Sequence, residues 1–177
     1  MKNIILIIAL FLTYMLYAQL PNHTFTIDAC WRFIKSDVPN AHLQDYDDSG
    51  WETVNLPHTW NALDILDETP GYYRGIGWYR HVEKITADKT KRVLLYFEAI
   101  SSKAEVFVNG IKAGSHKGAF TGFCMDITPY VKYGESNLIA VKADNSEDNS
   151  FPSLHGDFSI FGGIYRNVHL LYTSNIH

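Results

Sequence analysis

Apolar and polar side chains alternate with a period of two along most of this chain, and no stretch of useful length carries the 3.6-residue period of an amphipathic helix. Phe25, Ile27, Ala29 and Trp31 alternate with Thr24, Thr26, Asp28 and Cys30, which predicts a first strand over residues 24–33. Further strands are predicted from residue 77, over 92–99, 103–108, 111–115, 120–127 and 138–143, and from 164 onward. The run 92–99 is apolar enough to predict a strand buried on both faces. Asn109-Gly110 lies between two apolar-rich runs, and this pair predicts a type I′ hairpin, the strongest local signal in the chain. Thr128-Pro129 opens a short helical turn with proline in its first position. In the last strand Ile164, Val168, Leu170 and Tyr172 share one face with Arg166, which predicts an arginine turned to the core and paired there. About eight strands separated by turn chemistry predict an all-β fold, a two-sheet sandwich.

Ahead of the strands, Lys2 precedes an unbroken apolar run over 4–12, and 13–18 lead to Gln19. This is the layout of a secretory signal peptide over residues 1–18, expected to be removed after Ala18. As a membrane anchor, the apolar stretch 4–18 is shorter than the roughly 18 to 20 residues that span a bilayer. Export to the periplasm or beyond is expected, with no membrane partner once the leader is gone.

Residues 19–177 then form one domain, because a chain of 177 residues that is 46% hydrophobic and 14% aromatic supplies a core and excludes disorder. A net charge of −4 without a basic run excludes nucleic acid as a partner. Cys30 and Cys124 are placed to pair in an exported chain, or equally to remain two unpaired core thiols. No Cys or His stands at metal-ligand spacing, and no metal or cofactor is expected. Asp45, Asp47 and Asp48 lack the spacing and terminal Glu of a calcium loop, so they read as a solvated turn before Trp51.

Three motifs carry what chemistry the chain has. The first is Asp157-Phe158-Ser159-Ile160-Phe161-Gly162-Gly163-Ile164-Tyr165-Arg166-Asn167-Val168, an acid among aromatics in a loop that a glycine pair leads into a strand. The second is Leu56-Pro57-His58-Thr59-Trp60, where proline fixes an extended or turning path that presents a histidine and a tryptophan. The third is Gly75-Ile76-Gly77-Trp78-Tyr79-Arg80, at the start of a strand. Together they resemble the N-terminal sugar-binding domain of glycoside hydrolase family 2, with the β-galactosidases as nearest relatives. The resemblance implies a jelly-roll, galactose-binding-like form for the sandwich. It also implies that Asp157 reaches into the active site and accepts hydrogen bonds from the glycone, the sugar on the non-reducing side of the scissile bond. Residues 61–75 would approach the mouth of that site, which makes Asn61, Tyr73 and Arg74 secondary candidates for substrate binding, since aromatics interleaved with polar groups suit a sugar. His58 and Trp60 are expected to be architectural.

Catalysis is not expected of these residues. A retaining glycosidase needs two carboxyl groups about 5 to 5.5 Å apart, and in this family they are glutamates of a downstream β/α barrel that follows an immunoglobulin-like domain. Both domains lie beyond the 177 residues, so no catalytic residue is assigned and the chain reads as a fragment. No serine sits in a Gly-x-Ser-x-Gly turn, and neither cysteine has an identifiable base. The expected partners are a β-galactoside-like carbohydrate and the downstream domains of the parent enzyme. The alternatives are a free-standing lectin-like module, or a domain that only buttresses the barrel.

Overall fold

The computed structural model describes residues 23–64, 66, 71–148 and 161–174. The predicted leader and Asp157 lie outside them. The fold is an all-β sandwich of the jelly-roll type, with no α-helix among the described residues and a short 3-10 turn at Thr128–Tyr130, where Thr128-Pro129 predicted one. One sheet has four antiparallel strands in the order β1 (Thr24–Thr26), β10 (Val168–Ser174), β5 (Lys91–Phe97) and β8 (Phe123–Asp126). The other has six, in the order β3 (Glu52–Val54), β2 (Trp31–Ile34), β4 (Ile76–Lys84), β9 (Ser136–Asp144), β6 (Lys103–Val108) and β7 (Ile111–Lys117).

The period-two pattern becomes the core directly. Val93, Leu95 and Phe97 of β5 and Val168, Leu170 and Tyr172 of β10 face Trp31, Phe33, Tyr79, Ile139, Val141, Val106 and Val108 of the larger sheet, all buried. Each such side chain removed from water contributes about 1.5 to 3 kcal/mol. The β6–β7 hairpin turns at Asn109 (φ 52°) and Gly110 (φ 85°), the two positive φ values of the predicted type I′ turn. Asn109 also donates through its amide to Tyr130 O and Asn137 Oδ1, both at 2.8 Å, so the turn is pinned to the connection before β9.

Several expectations are corrected. The first predicted strand is two strands in different sheets: Cys30 adopts a left-handed φ of 59°, and the chain crosses there from β1 to β2. Asp28 holds the crossing, its side chain accepting from Val168 N at 2.8 Å and its carbonyl from Leu56 N at 2.8 Å. β5 is buried on one face only, because its partners are antiparallel and no layer of helices covers the other side. The strand over 120–127 shortens to β8, and β3 has no counterpart among the predicted strands.

The last strand begins at Val168, not Ile164; Gly163 makes an isolated bridge to Ser101, the chain bends at Arg166, and the arginine is exposed with its guanidinium 5.9 Å from the Tyr165 ring centre. It is therefore not a core arginine. Cys30 and Cys124 are unpaired and both exposed, so neither the disulfide nor the pair of core thiols forms.

The buried arginine is instead Arg80, 4% exposed on the outer face of β4. Its Nε donates to Asp48 Oδ2 at 2.6 Å, and its terminal nitrogens donate to the carbonyls of Ala41 (2.5 Å), Leu43 (2.8 Å) and Tyr46 (3.3 Å). The acidic turn is thus a partner of the sheet and not free in solvent. Through it the segment before β3 is strapped over the larger sheet, where Ala41 and Trp51 bury with Trp78 and Ala140. Replacing Arg80 by Met leaves three carbonyls and a carboxylate without their donor, and is expected to lower the unfolding free energy in a urea titration by about 3 to 5 kcal/mol.

Candidate functional site

At one end of the sandwich, four chain segments that are far apart in sequence meet on a single buried amide. Asn61 is 2% exposed and follows the Leu-Pro-His-x-Trp motif. Its Nδ2 donates to Asp64 Oδ2 (2.6 Å) and to Tyr73 O (2.8 Å), and its Oδ1 accepts from Gly162 N (2.6 Å) and Asn145 Nδ2 (3.4 Å). Both hydrogens and both lone pairs of this amide are used within the chain. Asn145, fully buried just beyond β9, repeats the device: its Oδ1 accepts from Gly75 N at 2.8 Å, and its Nδ2 reaches Tyr73 O at 3.3 Å.

The glycine pair closes the arrangement sterically. A Cβ on Gly162 would lie 1.9 Å from Trp60 Cζ2, and one on Gly163 (φ 117°) would lie 2.6 Å from both His58 O and the Tyr79 hydroxyl. Thr59 Oγ1 donates to Gly162 O at 2.8 Å, and His58 N donates to Ile164 O at 2.8 Å, so the motif and the glycine pair are laced together along their backbones. His58 and Trp60 pack against Phe33 and Tyr79, with the His58 ring 4.6 Å and the Trp60 ring 6.0 Å from Phe33.

The electrostatics follow from this packing. Burial raises the Asp64 carboxyl, yet the hydrogen bonds from Asn61 and Tyr73 N and the charge of Lys35 outweigh it, and its pKa is below the ordinary value. His58 is lowered by burial and so is neutral at pH 7; Tyr79 is raised, chiefly by burial.

Of the residues singled out in the sequence, Asn61, Tyr73 and Arg74 are brought together, whereas Asp157 belongs to the undescribed stretch 149–160. Asn61 holds its neighbours and has no hydrogen-bonding position left for a ligand. Tyr73 (38% exposed) and Arg74 stand on the rim with Tyr72 and Phe161 (38% exposed). The Tyr72 and Phe161 rings meet edge to face at 5.7 Å, and the Arg74 guanidinium lies 5.6 Å from the Tyr72 ring centre. Exposed rings beside a cation can stack on the CH face of a sugar and bond its oxygens. Asn145 and Asp64 were not picked out as functional residues, because an Asn after a strand and an Asp in a loop carry no pattern of their own.

The stretch from 26 to 174 matches the family model described as glycosyl hydrolases family 2, sugar binding domain. The chain belongs to glycoside hydrolase family 2. Within the family it is the N-terminal sugar-binding domain. It is 47% identical over 121 residues to a β-glucuronidase of Bacteroides fragilis, covering 68% of this chain and 17% of that protein. It is 40% identical over 157 residues to a β-galactosidase of Thermoanaerobacter pseudethanolicus, covering 86% of this chain and 21% of that one. The crystal structure of Bacteroides uniformis β-glucuronidase superposes with a TM-score of 0.80 at 38% identity, over 86% of this chain and 18% of that chain. The chain thus spans about a fifth of the length of such family 2 relatives.

Two outcomes follow from the clasp. Asn61→Ala removes four hydrogen bonds from a dry site, and is expected to cost about 2 to 4 kcal/mol in urea unfolding. Because the folded pKa of Asp64 is depressed, its contribution is complete above the unfolded value of about 3.9 and is lost as pH falls through the folded value. Unfolding followed from pH 5 downward should show that loss, and Asp64→Asn should flatten the profile.

Proposed function

We propose that this domain lends Asp157 to glycone recognition in an exported family 2 β-glycosidase whose catalytic carboxylates lie in other domains of the enzyme. One observation carries the reading. The two stems that flank the Asp157 stretch, at Asn145 and at Gly162, are both gripped by the Asn61 amide, beside a rim of exposed aromatic rings. A carboxylate can accept hydrogen bonds from sugar hydroxyls, and each charge-assisted bond is worth about 1.5 to 3 kcal/mol. Such a contribution is too small to hold a sugar by itself and is suited to completing a pocket built by further domains.

The named relatives include β-glucuronidases and β-galactosidases, and we take the substrate to be a β-linked galactoside or glucuronide. Arg74 is the feature that distinguishes the two: its Nε donates to Asn145 O at 3.3 Å, its terminal nitrogens make no hydrogen bond among the described residues, and a guanidinium suits the carboxylate of a uronic acid. The apolar run over 4–12 behind Lys2 supports export.

In the enzyme that carries this domain, Asp157→Ala is expected to lower kcat/KM about 10- to 100-fold with an unchanged melting temperature. Unaltered kinetics would reduce the domain to a buttress. Arg74→Leu is expected to lower kcat/KM for a β-glucuronide more than for a β-galactoside, and equal losses would remove Arg74 from substrate selection.

A further inference from the structure

Beside the clasp, the chain forms a cleft of about 560 Å³ between the end of β2, the start of β3 and the turn after His58. Its apolar lining includes Phe33, Trp51 and Trp60, with Ile34, Ala62 and Leu63 beside them; its polar lining includes Lys35, Glu52 and His58. Glu52 is exposed, and its carboxylate makes no ion pair or hydrogen bond among the described residues.

The His58 ring is half-committed. Tyr79 is fully buried, and its hydroxyl, whose proton needs an acceptor there, has His58 Nδ1 at 2.8 Å. The ring proton of neutral His58 therefore sits on Nε2, which has no hydrogen-bond partner among the described residues. Lys35 lies 5.2 Å from the centre of the Tyr73 ring and close enough to Asp64 to lower its pKa, and its ammonium makes no hydrogen bond among the described residues.

We propose that this cleft is a binding site for a neutral pyranoside. A free N–H donor, a free carboxylate acceptor and an ammonium, set around an apolar floor, match neighbouring hydroxyls of a sugar ring whose CH face lies on that floor. Glu52 and Asp64 outnumber Lys35 around it, which disfavours a uronate. The site uses none of the residues assigned to substrate on the rim, and it stands whether or not Asp157 touches a glycone.

The test is an amide-resolved NMR titration of the 177-residue chain with methyl β-galactoside, and separately with glucuronate. Saturable shifts centred on residues 33–35, 50–52 and 58–60 are expected, with a millimolar Kd for the galactoside and weaker binding of glucuronate. Glu52→Gln, at an exposed position that does not support the fold, should weaken the galactoside about tenfold. Lys35→Met should weaken it as well, and Asp157→Ala should leave these shifts unchanged. Absence of saturable shifts up to about 100 mM, shifts confined to the rim at 72–74 and 161, glucuronate binding as tight as the galactoside, or a Glu52→Gln variant of unaltered affinity would each overturn the proposal.

Discussion

The arrangement at the functional end of the molecule depends on one amide side chain. A buried amide is costly unless every donor and acceptor is matched, and Asn61 has all of its partners supplied by backbone or side-chain groups of four different segments. That cost is what makes the geometry unique: any shift of the 72–75 segment, the end of β9 or the glycine pair leaves a polar atom unpaired in a dry place. Hydrophobic packing alone would tolerate small slips, since apolar contacts carry little direction. The sandwich provides rigidity, and the clasp converts it into fixed positions for Asn145, the 72–75 segment and the glycine pair.

Steric exclusion works with the hydrogen bonds. The Trp60 ring occupies the volume that a side chain at residue 162 would need, and Gly77 is pressed against the same ring, with Trp60 Cζ3 2.7 Å from where a Cβ would stand. A tryptophan read as architectural in the sequence is therefore the spacer that sets how closely β4 and the glycine pair approach each other. The three family motifs look independent along the chain, but they are one packing unit: His58 and Trp60 from the motif after β3, Gly77 and Tyr79 from the motif that opens β4, and Gly162 and Gly163 from the motif before β10.

What could be read from the sequence was what local rules govern. The alternation of apolar residues gave most of the strands, and Asn109-Gly110 gave the hairpin with its turn type, because a period of two and a pair of positive φ values are properties of adjacent residues. The split at Cys30 escaped, since an apolar alternation continues through it and only the pairing with two different sheets breaks it. Arg166 was misplaced, and the burial of Arg80 went unread, for a similar reason. Periodicity put Arg166 on the core face, but the bridge at Gly163 and the bend that follows turn it to solvent, while Arg80 is buried by a distant segment whose polar sequence gave no sign of packing on a sheet. At the site, Asn61 was found through its neighbourhood and not through its role, because a matched amide is visible only once its four partners have been brought together.

The Arg80 hub also bears on how the protein withstands proteases. The segment between β2 and β3 has no strand, is rich in Asp, Asn and Ser, and would ordinarily be the first place for a protease to cut or for an inserted sequence to be tolerated. Here its carbonyls are bound to a buried guanidinium and its tryptophan is part of a core. Cleavage requires local opening of those bonds, and the segment is expected to open only with the larger sheet. A stretch with the composition of a linker thus has the accessibility of a structural element, and an engineer seeking a permissive site in this domain should look elsewhere.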